Sequence, residues 1–199
     1  MPVKVVSQKR VFDSPYHTLD VVEYEAKSLV HDGYTGQTQR EVFASDPAAF
    51  VLLYEPKSDR VLMCEQFRIG AWMAGEKEPF LMECPGGFVD EGETPEQSAR
   101  REAREEAGAD VTDIEYIGAF YPSPGCVAEK FHLFIGRIDD MKEGIHGLEE
   151  EVEEIKTFFM PADELISMLD KQEIPHGVTA LMVASFARHR DRLRKAWGG

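Results

Sequence analysis

The first third of the chain is patterned in short runs of β-branched and aromatic residues. VKVVSQKRVF, LDVVEYEAKSLV and REVFAS are separated by the turn-forming clusters Asp13-Ser14-Pro15 and Asp32-Gly33-Tyr34-Thr35-Gly36. That pattern predicts strands broken by turns. Two apolar runs at 50–54 and 60–67 then flank Glu55-Pro56-Lys57-Ser58-Asp59, which predicts a hairpin. FLMEC reads as a short buried strand running into the glycine loop PGGFVDEGE. The next segment carries helix start and stop signals. Thr94 is the expected N-cap, Pro95 takes the first helical position, Gln97 completes a capping box and Gly108 ends the helix. Ala99, Ala103 and Ala107 form a narrow stripe of small residues that would let this helix lie close to a sheet.

Further strands are expected near IEYIGAFY and KFHLFIGRI. An acidic stretch, GLEEEVEE, precedes IKTFFM. Helices are expected over 161–170 and in the terminal GVTALMVASFARHRDRLRKAW, where Leu181, Phe186 and Trp197 would be buried or face a partner and the basic residues would be solvated. There is no internal repeat, and the one seam in the pattern lies at Ser45-Asp46-Pro47.

The 199 residues suit one domain with a small appendage. With 22 Lys and Arg against 37 Asp and Glu, the formal charge is 22 − 37 = −15, which argues against nucleic acid as a partner. If the ligand is itself anionic, a divalent metal is the simplest device for inverting the local charge. Cys64, Cys84 and Cys126 are odd in number and far apart. They make neither a disulfide framework nor a zinc site, and Cys126 reads as a small loop residue. The start MPVKVVSQKR has no apolar signal core, and no run is long enough to span a membrane. A cytoplasmic setting is the resulting expectation.

The helix after the glycine loop carries the chemistry. Read blandly, it is a solvated face with Glu96–Arg100 and Arg101–Glu105 pairs. Yet Glu102 and Glu106 stand one turn apart, about 6 Å along the axis and on one side, with Glu105 beside them. Like charges so placed repel, whereas carboxylates converging with loop carbonyls suit a hard cation such as Mg²⁺. The glycines before the helix let backbone approach closely.

The spacing G-x5-E-x7-R-E-U-x-E-E-x-G-U runs through residues 87–109 with all seven fixed identities in place: Gly87, Glu93, Arg101, Glu102, Glu105, Glu106 and Gly108. The positions usually aliphatic are Ala103 and Ala109. This is the Nudix box, and the chain resembles the Nudix hydrolase superfamily. The resemblance implies an α/β/α sandwich on a mixed sheet and metal-dependent hydrolysis of a nucleoside diphosphate linked to a further group. It implies an Arg101–Glu93 ion pair that orients the glutamates, with Gly87 and Gly108 structural. The domain would cover 46–199, preceded by an N-terminal antiparallel β region over 1–45 that serves dimerisation and nucleotide contacts.

From about Val11 onward the chain resembles the bacterial ADP-ribose pyrophosphatase subgroup. Pro124 lies 15 residues past Ala109 within Ser123-Pro124-Gly125, followed by Glu129. Gly144-Ile-His-Gly-Leu148 leads into the acidic run, and Glu65-Gln66-Phe67-Arg68 resembles the subgroup's phosphate-binding strand. The subgroup usually reads S-P-G-G where this chain has Cys126, and Val127-Ala128 replace residues that are usually small and polar.

Carried over residue by residue, the resemblance implies metal ligation by the Gly86 carbonyl, Glu102, Glu106 and Glu153. It implies Glu151 as general base, with Glu105 as a further catalytic carboxylate. Arg68 would grip a phosphate, Glu129 would contact substrate, and Arg40 and Glu41 would approach the nucleotide together with Tyr16 from the other subunit of a homodimer. Composition alone leaves Glu149, Glu150, Glu151, Glu153 and Glu154 equally readable as a solvated loop. Arg68 is also readable as pairing with a surface acid, His146 as a proton shuttle or, preferably, as packing in its loop, and Tyr16 as core. The expected reaction is hydrolysis of ADP-ribose to AMP and ribose 5-phosphate with two or three Mg²⁺, or with Mn²⁺. GDP-mannose or another sugar nucleotide is the alternative substrate. A non-catalytic ADP-ribose sensor is the alternative of a different class, disfavoured by an intact box.

Overall fold

The computed structural model describes residues 1–148 and 152–198. The chain forms two compact units, Met1–Pro47 with Phe120–Phe131 and Ala48–Ala119 with His132–Gly199. In the first, β1 (Val3–Asp13), β2 (Thr18–Ala26), β3 (Thr38–Ala44) and β9 (Val127–Ala128) form a four-stranded sheet in the order β1-β2-β3-β9. The first two pairings are antiparallel and β3–β9 is parallel. The apolar run expected to extend β2 to Val30 instead breaks at Ala26. The Ser28 hydroxyl accepts the amides of Val30 and His31 at 3.1 and 3.2 Å, which turns the chain and leaves Leu29 and Val30 fully exposed. β1 is an edge strand with every side chain exposed, Val5 and Phe12 included.

The second unit contains β4 (Ala48–Glu55), β5 (Arg60–Phe67), α1 (Ile69–Met73), β6 (Phe80–Glu83), β7 (Gly86–Phe88) and α2 (Pro95–Ala107). These are followed by β8 (Ile114–Phe120), β10 (Phe131–Arg137), β11 (Gly144–His146), β12 (Ile155–Pro161), α3 (Ala162–Asp170) and α4 (Gly177–Trp197). Its sheet runs β11-β12-β5-β4-β10-β8, with β6 paired to β5 and β7 to β4.

β4 lies in the middle and every one of its residues is buried, as a strand covered on both faces must be. Its alternation assigns the layers. Ala49, Val51 and Leu53 join a cluster with Ala99, Ala103 and Ala107 of α2. Tyr54 meets Phe186 of α4 with ring centroids 4.8 Å apart. α4 buries Met182, Val183, Phe186 and Leu193, while Leu181 stays on the exposed side. The result is the expected helix–sheet–helix sandwich.

α2 begins and ends where its caps dictate. The Thr94 hydroxyl accepts the Gln97 amide at 3.3 Å, and the Gln97 side chain accepts the Thr94 amide at 2.8 Å. At the other end Gly108 adopts φ 61°, and the Gly108 and Ala109 amides turn back to the carbonyls of Arg104 and Ala103. Two local expectations are corrected. Gly86–Phe88 is not loop but a short strand, because two residues without side chains can lie against Ala49 and Phe50 of β4. In FLMEC the polarity is inverted: Phe80 is 58% exposed and Glu83 only 2%, because Glu83 has an ionic partner inside. Among the described residues no helix is long and apolar enough to cross a membrane.

The alanine stripe fixes how close α2 lies to the sheet. Ala103→Leu places extra methylenes in a filled layer and should cost about 1–3 kcal/mol. A fall of at least about 2 °C in the thermal midpoint by calorimetry is expected, since a chain of this size loses roughly 2–4 °C per kcal/mol.

Candidate active site

α2 presents Glu102 and Glu106 inward, with 8% and 7% of their surfaces exposed. Both meet the glycines of β7. Gly86 N–H donates to Glu106 Oε2 at 2.7 Å. At Gly87 an added Cβ would lie 2.7 Å from the Glu102 carboxyl carbon, so the carboxylate occupies the space a side chain would need. An added Cβ at Gly86 would lie 2.7 Å from the Ala49 carbonyl oxygen. Both glycines are therefore required by contact, with no unusual φ at either position.

Arg101 organises the surrounding acids. Its Nη1 donates to Glu102 Oε1 at 2.7 Å and to Glu105 Oε2 at 3.0 Å. Nε and Nη2 hold Glu93 at 3.1–3.3 Å, and Nη2 also reaches the Phe88 carbonyl at 2.8 Å. Glu105 is thus engaged by the guanidinium, whereas among the described residues Glu106 is hydrogen-bonded by the Gly86 amide and feels Arg68 through its charge alone.

Glu153 belongs to the same neighbourhood. Gln66 Nε2 donates to its Oε1 at 3.2 Å, and its charge repels those of Glu102 and Glu106. Burial pushes the Glu102 carboxyl up to about 7 against the pull of Arg101. Burial likewise pushes Glu106 up to about 8 against the Gly86 amide, with Glu102 and Glu153 adding repulsion. Such a set suits a divalent cation: buried carboxylates in excess of their cationic partners, beside two residues without side chains in β7 that leave backbone oxygen uncovered. Glu102 and Glu106, with the Gly86 carbonyl and the neighbouring Glu153, are the residues available to such an ion, although among the described residues no three acidic, histidine or cysteine side chains are gathered closely enough to enclose one.

Arg68 is not free. Its Nε and Nη2 form a two-pronged pair with Glu83 at 2.9 and 2.7 Å. Glu83 is also 3.6 Å from His176 Nδ1, and that nitrogen lies 2.9 Å from Thr179 Oγ1. Thr179 Oγ1 in turn accepts the Cys84 amide at 3.2 Å. Burial lowers the His176 pKa, which keeps the ring neutral near pH 7. The alternative of Arg68 pairing with a surface acid is corrected: its partner is an acid, but a buried one, which a two-pronged guanidinium can compensate inside the protein. Glu83, Gln66, His176 and Thr179 were not singled out in the sequence. A lone charge inside the apolar run FLMEC was the available signal for Glu83.

In the first unit, Tyr16 is exposed and lines a cleft of about 260 Å³ with Ser14, His17, Ala44 and Asp46. The His17 ring packs on Phe43 with centroids 4.7 Å apart. Arg40 and Glu41 are exposed on β3, with Arg40 Nη1 donating to the Gln39 carbonyl at 2.7 Å. Glu129 is half-buried, and burial raises its pKa. Glu149, Glu150 and Glu151 lie outside the described residues.

A family model described as NUDIX domain matches residues 44–181. An ADP-ribose pyrophosphatase of Haemophilus influenzae is 31% identical over 198 residues, covering 98% of this chain and 90% of that protein. The ADP-ribose pyrophosphatase of Escherichia coli K12 is 29% identical, covering 98% and 92%. A GDP-mannose pyrophosphatase of Salmonella paratyphi B is 33% identical over 174 residues, covering 87% of this chain and 90% of that protein. Among solved structures, an ADP compounds hydrolase superposes with a TM-score of 0.72 at 16% identity, covering 100% of this chain and 98% of the other.

The raised carboxyls of Glu102 and Glu106 carry a sign for pH. Their folded pKa values of about 7 and about 8 lie above the ordinary carboxyl value of 4.5, so the folded state holds more protons than the unfolded state between those limits. Metal-free protein should therefore lose stability as pH rises from about 4.5 to about 8. Added Mg²⁺ should raise the thermal midpoint more at pH 8 than at pH 6, measured by scanning fluorimetry at matched ionic strength. An equal Mg²⁺ effect at both values would contradict the assignment of these two groups.

Proposed function

Because this chain belongs to the NUDIX domain family, we propose that it is a metal-dependent pyrophosphohydrolase that cleaves ADP-ribose to AMP and ribose 5-phosphate. The observation that carries this reading is the convergence of buried Glu102 and Glu106 on Gly86 and Gly87 of β7. The ADP-ribose pyrophosphatases matched along 98% of the chain support the substrate. GDP-mannose is the second reading, supported by the 33% identical relative.

A bound divalent cation, Mg²⁺ or Mn²⁺ in two or three copies, would neutralise the diphosphate and stabilise the charge that develops on its oxygens. The chain's own residues do the rest. Arg68, held in place by Glu83, offers the remaining face of its guanidinium to a phosphate. Glu151 takes a proton from the attacking water as the water oxygen bonds to phosphorus. The bridging P–O bond breaks, and its electron pair leaves with the departing phosphate. Arg101 keeps Glu102 oriented and draws Glu105 away from bulk solvent. We assign Tyr16 of a second copy, with Arg40, Glu41 and Glu129, to the nucleotide and its sugar. The exposed apolar edge strand β1 and the region 1–45 are assigned to a homodimer. A cytoplasmic location accords with the three free cysteines.

Two measurements test the reading. In a panel of ADP-ribose, ADP-glucose, GDP-mannose and NADH, ADP-ribose with Mg²⁺ should give the highest kcat/KM, with EDTA abolishing turnover. A value for GDP-mannose at or above that for ADP-ribose would transfer the assignment to the second reading. Glu151→Gln should lower kcat at least about 10²-fold with little change in substrate affinity, because a general base acts mainly in the transition state. Glu150→Gln should be mild, and a reversal of the two would move the base by one residue.

A further inference from the structure

The box ends at Gly108, whose left-handed φ of 61° already accounts for a glycine. A second requirement acts at the same residue. An added Cβ would lie 2.8 Å from Cε1 and 3.2 Å from Nδ1 of His146, well inside ordinary contact. The same ring lies 3.0 Å from where a Cβ on Gly144 would stand. The imidazole thus fills the space of two absent side chains. Its buried Nε2 has no hydrogen-bond partner among the described residues, so packing contributes to its placement.

His146 also sits at a special point of the chain. It pairs with Ile155 as the last rung of β11 and β12, so residues 147–154 leave and return at that rung. Ile155 is fully buried in the layer beneath α2. Immediately after the ring, Gly147 donates its amide to the Glu105 carbonyl at 3.2 Å. Gly147 has φ 107°, and a Cβ there would lie 2.7 Å from the Glu153 carbonyl oxygen. The Glu153 amide reaches the Leu148 carbonyl at 3.3 Å. The C-terminal turn of the carboxylate helix and the two ends of the acidic loop therefore meet at one packed point.

We propose that His146 is a positioning residue, seated in the socket left by Gly108, that registers Gly147, Leu148 and Glu153 against the helix bearing Glu102 and Glu106. This rests on the reading above, in which Glu151 is the base and Glu153 a metal ligand. The imidazole acts by shape and touches no substrate. Without it, the Gly147–Glu105 hydrogen bond is the one described tie between the loop's entry and α2, and a displacement of about 1 Å at a catalytic group can cost on the order of 10²-fold in rate.

The test is His146→Ala, assayed by hydrogen–deuterium exchange and by steady-state kinetics with saturating Mg²⁺ and ADP-ribose. The expected result is exchange at the Gly147 and Glu153 amides faster by about tenfold or more, with residues 95–107 as protected as before. In the same variant kcat should fall about tenfold or more while KM changes less than about threefold. Unchanged exchange at those two amides would overturn the proposal. So would faster exchange with unaltered kcat, and so would a loss of protection spreading through 95–107, which would make His146 a general core residue. Retained turnover in Glu151→Gln would remove the base assignment alone, and the exchange measurement would still decide whether His146 anchors the loop.

Discussion

Arg101 spends its whole guanidinium on one task, and the site depends on it. Glu93, Glu102 and Glu105 would otherwise stand as three carboxylates crowded around the middle and last turns of one helix and the loop before it, Glu102 buried and the other two partly so. An uncompensated charge so placed is costly, and it relaxes by taking up a proton or by moving. A planar fork with donors in fixed directions can serve several acceptors at once, which an ammonium cannot do with the same precision of angle. By also reaching the Phe88 carbonyl, the fork ties the helix to β7. Orientation of the carboxylates and placement of that strand are thus one interaction.

What the fork leaves uncompensated is as informative. Glu106 is as buried as Glu102, but among the described residues its carboxylate accepts one hydrogen bond, from the Gly86 amide, and the weak pull of Arg68 is opposed by the charges of Glu102 and Glu153. A protein that needed only stability would not keep this arrangement, since apolar groups of similar size would cost less to bury. The local excess of negative charge is the electrostatic complement of a divalent cation, and a cation is also what an acidic chain needs before it can accept a diphosphate. The carboxylate helix is fastened at two places: by Arg101 and β7 over its middle and last turns, and by Gly108 against His146 with Glu105 against Gly147 at its close. A rigid helix with two such fastenings places carboxylates more precisely than a loop could.

The sequence alone reveals the box helix almost completely. Its caps, alanine stripe and charge spacing are all local, and local rules decide them: a hydroxyl three residues before an amide, a left-handed position for glycine, a period of 3.6. The hairpin of β4 and β5 and the two final helices are legible for the same reason. So is the family, because seven identities at fixed spacing lie within one loop and one helix.

Only the tertiary structure decided the remainder. Glu83 stands in an apolar run, and nothing local says that Arg68, 15 residues earlier, will meet it across β5 and β6. The return of Phe120–Phe131 to the leading sheet is likewise invisible in the segment itself, because a two-residue parallel pairing leaves no period to read. Gly87 and Gly108 are required in part by side chains of Glu102 and His146, and a glycine's sequence neighbours do not show what occupies the space its missing side chain would take. Hydrophobic periodicity reports which face of an element is buried, but contact between elements depends on register and chain path. For that reason the chemistry of α2 was readable as a list of residues, while the partners that orient it appeared only in three dimensions.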